Sequence, residues 1–578
     1  MNYIKFIFSF VSKKNFFIII ILFLLSTVLE YLFVLSVPIL IKVSLTGEIS
    51  SYLKFYPLNF SNNFINKKDF LYYSFLILFL LFLLKNILYI LSQYFFLNFS
   101  YKVQNNLSTF LFKKYLDYKY SLFLSFKSST LIRNVFENCE TISRAFIVNS
   151  INFFCEIFII LGLILIVLVQ SNASSIYLIL LIFLFTSIYL FFSRSFAFTW
   201  GNSKMNFDNQ KLKFLQEGMS SFKELKIFNK GDYYLKNFYR ITSKSNKLNI
   251  KFGILQLIPR FYLEVMGAFT IIILIFVNLD KNVSESFLNV FPILSLYFVA
   301  IMRILPSANR IVNSLETFRF AFPLLKSIYR DFNYNTHKKK NYDKNSVIKF
   351  KSKVVFKNVS FSFNKNEKIF EKLNFAIRKG QKIGLIGESG IGKTTFLNLI
   401  SGLLHPTSGH IYCDNCLIEE DPKDWYPNIA YIYQSNFILN DTIENNISFN
   451  ALKNKDHTKK IEMIINLLNF KNFLKKQPEG LNTYIGDGGV KLSGGQIQKI
   501  AIARAIYSDR EILICDEITN SLDASSEKVI LNILNKLNKT IIIISHKTEN
   551  LYFCDKIYQV KNKNIFIAKN KKSLIHKK

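Results

Sequence analysis

The sequence predicts a multidomain chain: an all-α membrane domain of six transmembrane helices, followed by an α/β domain. Two observations predict it. To about residue 320 the chain runs in blocks of Phe, Leu, Ile and Tyr long enough to cross a bilayer, and strand-like alternation then begins at Val347 among Gly-rich turns. At 578 residues the chain is also too long for a single core. We therefore expect a transmembrane domain over 1–325, a linker over 326–350 that is rich in Lys and Asn, and the α/β domain over 351–578.

Apolar runs near 16–42, 70–97, 147–170, 175–197, 261–279 and 285–305 are each suited to one crossing, which takes roughly 20 residues. The first follows Lys5, Lys13 and Lys14 in the manner of a secretory signal, but it is too long and has no small-residue cleavage site. It therefore reads as a retained first helix. The stretches 98–146 and 198–260 are long, polar and basic, whereas Gln170 to Ser175 and Leu279 to Ser286 are short. By the positive-inside rule the long stretches and both termini face the cytoplasm, which puts the α/β domain there too, in a multi-pass protein of the bacterial cytoplasmic membrane. The tips of the long stretches, Leu116 to Leu124 and Glu217 to Ile227, are expected docking points for a cytoplasmic motor; the plainer reading is a pair of solvated helical hairpins. The external segment 43–69 holds an aromatic stretch, Ser50 to Ile65, which reads either as a surface that meets lipid tails or as a loop packed on helix ends.

Charges in or beside the spans carry a functional expectation, because an unpaired charge in hydrocarbon is costly. Glu30, Lys85, Arg260, Glu264, Arg303 and Arg310 qualify. Arg260 and Glu264 are one helical turn apart and suit a pair, as do Glu30 and Lys85 across two helices. As cavity-lining groups, Lys85, Arg260, Arg303 and Arg310 suit an anionic head group. The net charge of +34 is mostly Lys, dispersed among abundant Asn, Ile, Phe and Tyr. That pattern follows from AT-rich coding and membrane orientation, and no nucleic-acid partner is expected. Cys413 and Cys416 flank Asp414-Asn415, a good hairpin turn, and read as strand ends in a reduced compartment; no second pair accompanies them to make a metal site.

The chemistry lies in the second part. Lys382 to Ile386 reads as a strand that enters Gly387-Glu388-Ser389-Gly390-Ile391-Gly392-Lys393-Thr394, after which a helical segment runs from Thr395 to Leu404. This is G-x-x-x-x-G-K-T in the context it requires, the P-loop of an ATP-binding domain. Backbone N–H groups curl around phosphate, Lys393 reaches the β- and γ-phosphates, and the Thr394 hydroxyl suits Mg2+. Glu511 to Glu517 is an apolar strand that ends in two carboxylates. Asp516 is expected to hold Mg2+ through its water shell, and Glu517 to orient and polarise the attacking water. Between these motifs lies Leu492-Ser493-Gly494-Gly495-Gln496, followed by a helical run from Ile497 to Tyr507.

With that last motif the chain resembles ABC transporters of the exporter half-transporter type. The resemblance implies that Ser493, Gly494, Gly495 and Gln496 contact the γ-phosphate of ATP held by another subunit, which makes a homodimer the expected partner state, with ATP and Mg2+ as cofactors. It implies that Gln434 senses Mg2+ and the membrane domain, that Ser521-Leu522-Asp523 is the D-loop, that His546 contacts the γ-phosphate, and that Phe363 stacks on adenine. The chain departs from the family pattern at Ile518 and Asn520, where Ala and Ser are commoner, and at Asp487, where Glu is usual. Gln216-Glu217-Gly218, Lys223 to Lys226, Pro259-Arg260 to Glu264 and Leu305-Pro306 to Arg310 are similar to flippases of lipid-linked oligosaccharides. The resemblance implies an ATP-driven translocase for a polyprenyl-pyrophosphate-linked glycan or similar amphiphile, with membrane lipids around it; an exporter of other lipids or hydrophobic drugs is the alternative.

Overall fold

The computed structural model describes residues 3, 5–6, 9–10, 13–46, 67–170, 174–278, 283–334, 347–364, 367–418, 422–451, 456–486, 492–520 and 522–568. The aromatic stretch Ser50 to Ile65, Asp487, Ser521 and residues 335–346 of the expected linker lie outside the described residues. The chain forms two compact units, one of residues 1–117 and 126–336, the other of residues 118–125 and 337–578.

The first unit is helical. Its long elements are α1 (Lys13–Thr46), α2 (Lys67–Leu116), α4 (Asn149–Gln170), α5 (Ser174–Ser220), α7 (Gly231–Asn278) and α8 (Val283–Asn333), with a short α6 (Phe222–Ile227) at the turn between α5 and α7. Short helical stretches from Ser128 onward, two of them π-helical, lead straight into α4. Phe16–Ile41, Tyr72–Leu116 and Ser128–Val169 are long and apolar enough to cross a membrane. The expected spans 175–197, 261–279 and 285–305 fall on α5, α7 and α8, and the joins at 171–173 and 279–282 lie outside the described residues.

The polar stretches 98–146 and 198–260 are largely continuations of the membrane helices. Their Lys, Glu and Gln residues keep good helix propensity once the apolar run ends. The same continuity corrects the expected linker boundary: α8 runs on to Asn333 because Leu325, Ile328 and Asp331 keep a buried stripe at helical spacing. Strand β1 starts at Lys353, later than the alternation from Val347 predicts.

Buried carboxylates are paired inside this bundle. Glu30 on α1 is buried, and its two carboxylate oxygens take Lys85 of α2 at 2.7 Å and Arg303 of α8 at 2.8 Å. Lys85 also sits 5.3 Å from the rings of Phe33 and Phe82. Arg310 holds the buried Glu156 of α4 with two donors, at 2.5 and 3.1 Å. Removing one partner of such a group leaves desolvated charge behind. Glu30→Gln should therefore destabilise the protein by about 3–5 kcal/mol, seen as a clear fall in the thermal midpoint in detergent.

The second unit is built on a six-stranded sheet in the order β12-β11-β3-β10-β9-β6. Its strands are β3 (Lys382–Ile386), β6 (Ile429–Ile432), β9 (Ile512–Asp516), β10 (Thr540–Ile544), β11 (Lys556–Lys561) and β12 (Asn564–Ile567), all parallel except the edge strand β12. Both faces are covered, so β9 and β10 are buried at every residue and read as unbroken apolar runs. A second, antiparallel sheet has the order β2-β1-β4-β5, from β1 (Lys353–Ser362), β2 (Lys368–Arg378), β4 (Ser408–Cys413) and β5 (Cys416–Leu417). Cys413 and Cys416 face each other across the β4–β5 hairpin as free thiols, with Asp414 at φ 52° in the turn.

The helix α9 (Lys393–Ile400) stops short of the predicted Leu404 because Gly402, at φ 77°, turns the chain. Beside it Trp425 is fully buried, donates to the Ile400 carbonyl at 2.9 Å and meets Phe350 edge-on. Truncating it to Ala should cost about 3–5 kcal/mol, measured as a lower midpoint for the ATP-binding unit's own unfolding transition. The segment 118–125, with its short helix α3 (Tyr120–Phe123), belongs to this unit, and Tyr120 packs on the core that holds Phe356, Phe396 and Trp425.

Candidate functional site

Strand β3 delivers the chain into the P-loop. Gly390 and Gly392 have φ of 79° and 108°, which suits glycine, and a Cβ on Gly392 would lie 2.5 Å from Ile369. The loop closes on the buried Lys393, whose Nζ donates to the carbonyls of Gly387 and Glu388 at 2.8 and 2.9 Å. Thr394 and Thr395 open α9, so Ser389 to Thr395 presents first-turn amides of the kind that bind phosphate.

The order β3-β10-β9 sets three carboxyl ends side by side. Asp516 ends β9, and its Oδ2 accepts from the Thr394 hydroxyl at 3.1 Å. Burial pushes the Asp516 carboxyl above its ordinary range; the Thr394 bond opposes this and the neighbouring Glu517 charge adds to it. A hydroxyl and a buried carboxylate in mutual contact form an all-oxygen donor set that fits Mg2+, a hard cation that retains several waters.

Glu517 follows in the left-handed region at φ 52°, sparsely populated by non-glycine residues. Three donors converge on its carboxylate. His546, just past β10, reaches Oε1 at 2.7 Å, while Gln434, just past β6, donates to Oε2 at 2.8 Å. Asn520 donates to Oε2 as well, also at 2.8 Å. The sequence reading singles out Asn520 only as a departure from a family pattern. Its place three residues after a strand-end carboxylate, in a turn, is the signal that points to this contact.

Ser493 is the N-cap of helix α12 (Gly494–Ser508) in a reciprocal capping box: Gln496 N–H donates to Ser493 Oγ at 3.3 Å, and Ser493 N–H to Gln496 Oε1 at 2.8 Å. The Ser493 hydroxyl acts there as acceptor, and its own proton is left to donate. Among the described residues no hydrogen bond joins 493–496 to 387–394. Phe363 lies just past β1, exposed and edge-on to Phe361 at 4.9 Å. Asp523 caps the helix Ala524–Lys536, accepting from Ser526 N–H at 3.0 Å.

Of the basic residues expected at a cargo site, the structure brings together Lys85 and Arg303, both on Glu30. Arg260 is exposed and paired with Glu264 at 2.9 Å, and Arg310 is spent on Glu156. Sequence reasoning missed a groove of about 830 Å3 between α5 and α8, walled by Phe191, Phe192, Phe196, Phe198, Phe318 and Phe322, with Arg194 and Arg319 at its edge.

Residues 370–520 match the family model described as ABC transporter. They form an ABC transporter ATPase domain. The whole chain is similar to a solved structure titled as a bacterial Atm1-family ABC exporter with ATP bound, with a TM-score of 0.80 at 17% identity, over 96% of this chain and 94% of that one. That likeness shows the fold. An ATP-dependent lipid A-core flippase of Wigglesworthia glossinidia brevipalpis is 29% identical over 84% of each chain. P-glycoprotein 14 of Caenorhabditis elegans is 35% identical over 39% of this chain, which spans 17% of that protein. With its helical unit and this ATPase domain, the chain has a half-transporter fold, and the domain supports ATP-hydrolysing translocase activity.

Proposed function

We propose that two copies of the chain form a flippase that moves an anionic amphiphile, a glycan joined to lipid through phosphate, across the bacterial cytoplasmic membrane. The observation that carries the cargo class is the buried Glu30 cluster. Two cations meet one carboxylate there, which leaves one positive charge in surplus among the membrane helices. A phosphate or pyrophosphate head group supplies the missing anion. Polyprenyl-pyrophosphate-linked glycans belong to this class, and so does the lipid A-core named for several relatives. The alternative, an exporter of other lipids or hydrophobic drugs, draws on the phenylalanine groove.

In the motor, Lys393 and the P-loop amides would hold the phosphates, Phe363 would stack on the base, and Thr394, Asp516 and Gln434 would hold Mg2+. The metal, when bound, neutralises charge on the phosphates. Glu517 takes the proton of the attacking water, and His546 fixes the carboxylate's orientation. A homodimer is supported by two features. The Ser493 hydroxyl and the first-turn amides of α12 make no hydrogen bond to their own P-loop among the described residues. The tip α6 carries Phe222, Ile227 and Phe228 exposed, a surface suited to a second copy's ATPase domain.

Glu517→Gln should abolish ATP turnover in liposomes while leaving nucleotide binding intact; normal turnover would remove Glu517 from its assigned role. For the cargo, Arg303→Gln is informative because it leaves Lys85 and Glu30 as a neutral pair. Flipping of phosphate-linked glycolipids should fall about tenfold with basal ATPase retained. Unchanged flipping, or preferred transport of an uncharged drug, would favour the alternative.

A further inference from the structure

The carboxylate of Glu517 has two oxygens and three donors, and the donors differ in origin. Gln434 and His546 arrive from the ends of β6 and β10. Asn520 belongs to the turn that Glu517 itself begins: its backbone N–H points to the Glu517 carbonyl at 3.4 Å, and its side chain to Oε2 at 2.8 Å. The turn is anchored from below. Thr519 is buried and accepts from Asn550 Nδ2 at 3.1 Å, Asn550 also donates to Glu527 at 2.5 Å, and Leu522 N–H bonds the Thr519 carbonyl at 3.1 Å.

We infer that Asn520 is a positioning residue for ATP hydrolysis, which aims Glu517 by holding Oε2 from within the same turn. The inference rests on the reading of Glu517 as the group that activates water. A carboxylate held on Oε1 alone can swing about its Cγ–Cδ bond, and a general base must sit within hydrogen-bond reach of the water it activates. Gln434 serves Oε2 only while its loop stays in place, and the same residue is proposed to turn toward the metal. Asn520 is tethered to Glu517 by the turn they share, so its amide moves with Glu517. It can therefore keep its bond to Oε2 when the Gln434 side chain turns away. Asn520 is exposed, so replacing it leaves the core untouched.

The test is steady-state ATPase of the full chain in liposomes for Asn520→Ala, Asn520→Leu, Asn520→Ser and Gln434→Ala, with the double variant Asn520→Ala/Gln434→Ala. The Ala and Leu variants should lose about five- to tenfold in kcat with KM for ATP almost unchanged, and Ser, which restores a donor, should recover part of the loss. The double variant should lose more than the product of the two single losses, because both amides hold one oxygen. If Leu, nearly the shape of Asn, turns over as fast as wild type or faster than Ser, or if only KM moves, Asn520 is a structural brace and the inference fails. Glu517→Gln in the same series separates the two readings. An active Glu517→Gln overturns the base assignment itself, whereas an inactive one beside unaffected Asn520 variants overturns only the role of Asn520.

Discussion

Everything chemical in this protein depends on three buried parallel strands, β3, β10 and β9, lying next to one another in that order. Parallel pairing points all their carboxyl ends the same way, and the loops that leave those ends meet at one crevice. Lys393 and Thr394 come from the first, His546 from the second, and Asp516 with Glu517 from the third. The sequence separations are large, yet the side chains touch: Thr394 meets Asp516 across 122 residues, and His546 meets Glu517 across 29. Hydrophobic burial of the strands brings the groups together, and the local turns that follow each strand set their final aim.

The helical unit follows a different constraint. Its outer faces are solvated by lipid, so apolar side chains such as Phe75, Leu80 and Leu84 are exposed without penalty, and the selective pressure falls on polar groups. Among the described residues, each strongly buried carboxylate there has a cationic or hydroxyl partner: Glu30, Glu156, Glu316 with Ser193 and Arg319, and Asp331 with Tyr115. The Glu30 group takes one cation on each oxygen, whereas Glu156 and Glu316 each pair with one arginine. On the proposed reading, that surplus separates a cargo site from bundle glue.

Much of this was legible in the sequence because the motifs carry their own geometry. A P-loop between strand and helix, a carboxylate pair at a strand end and a Ser-Gly-Gly turn each predict a local shape that the structure has. Arg260 with Glu264 and Glu30 with Lys85 were readable from spacing and from span position. What was not legible is long-range. Nothing in the spacing tells that Arg303 shares Glu30 or that Arg310 is taken by Glu156, since both depend on how helices cross. The phenylalanine groove was hidden by composition, because Phe is everywhere in this half. The capping box at Ser493 is legible in the Ser-x-x-Gln spacing of residues 493–496.

The boundary between the two units in space is not a boundary in the chain. Residues 118–125, from the middle of the membrane half of the sequence, are part of the ATPase unit, where Tyr120 lies near Tyr431 and Tyr433, two rings stacked 4.1 Å apart beside Gln434. Severing the chain between the helices and the motor would therefore not yield a complete motor; it would strip a piece of its surface and bare the aromatic patch under it. Evolution cannot exchange one half freely either, because any new motor must accept a short insert supplied by the old membrane domain.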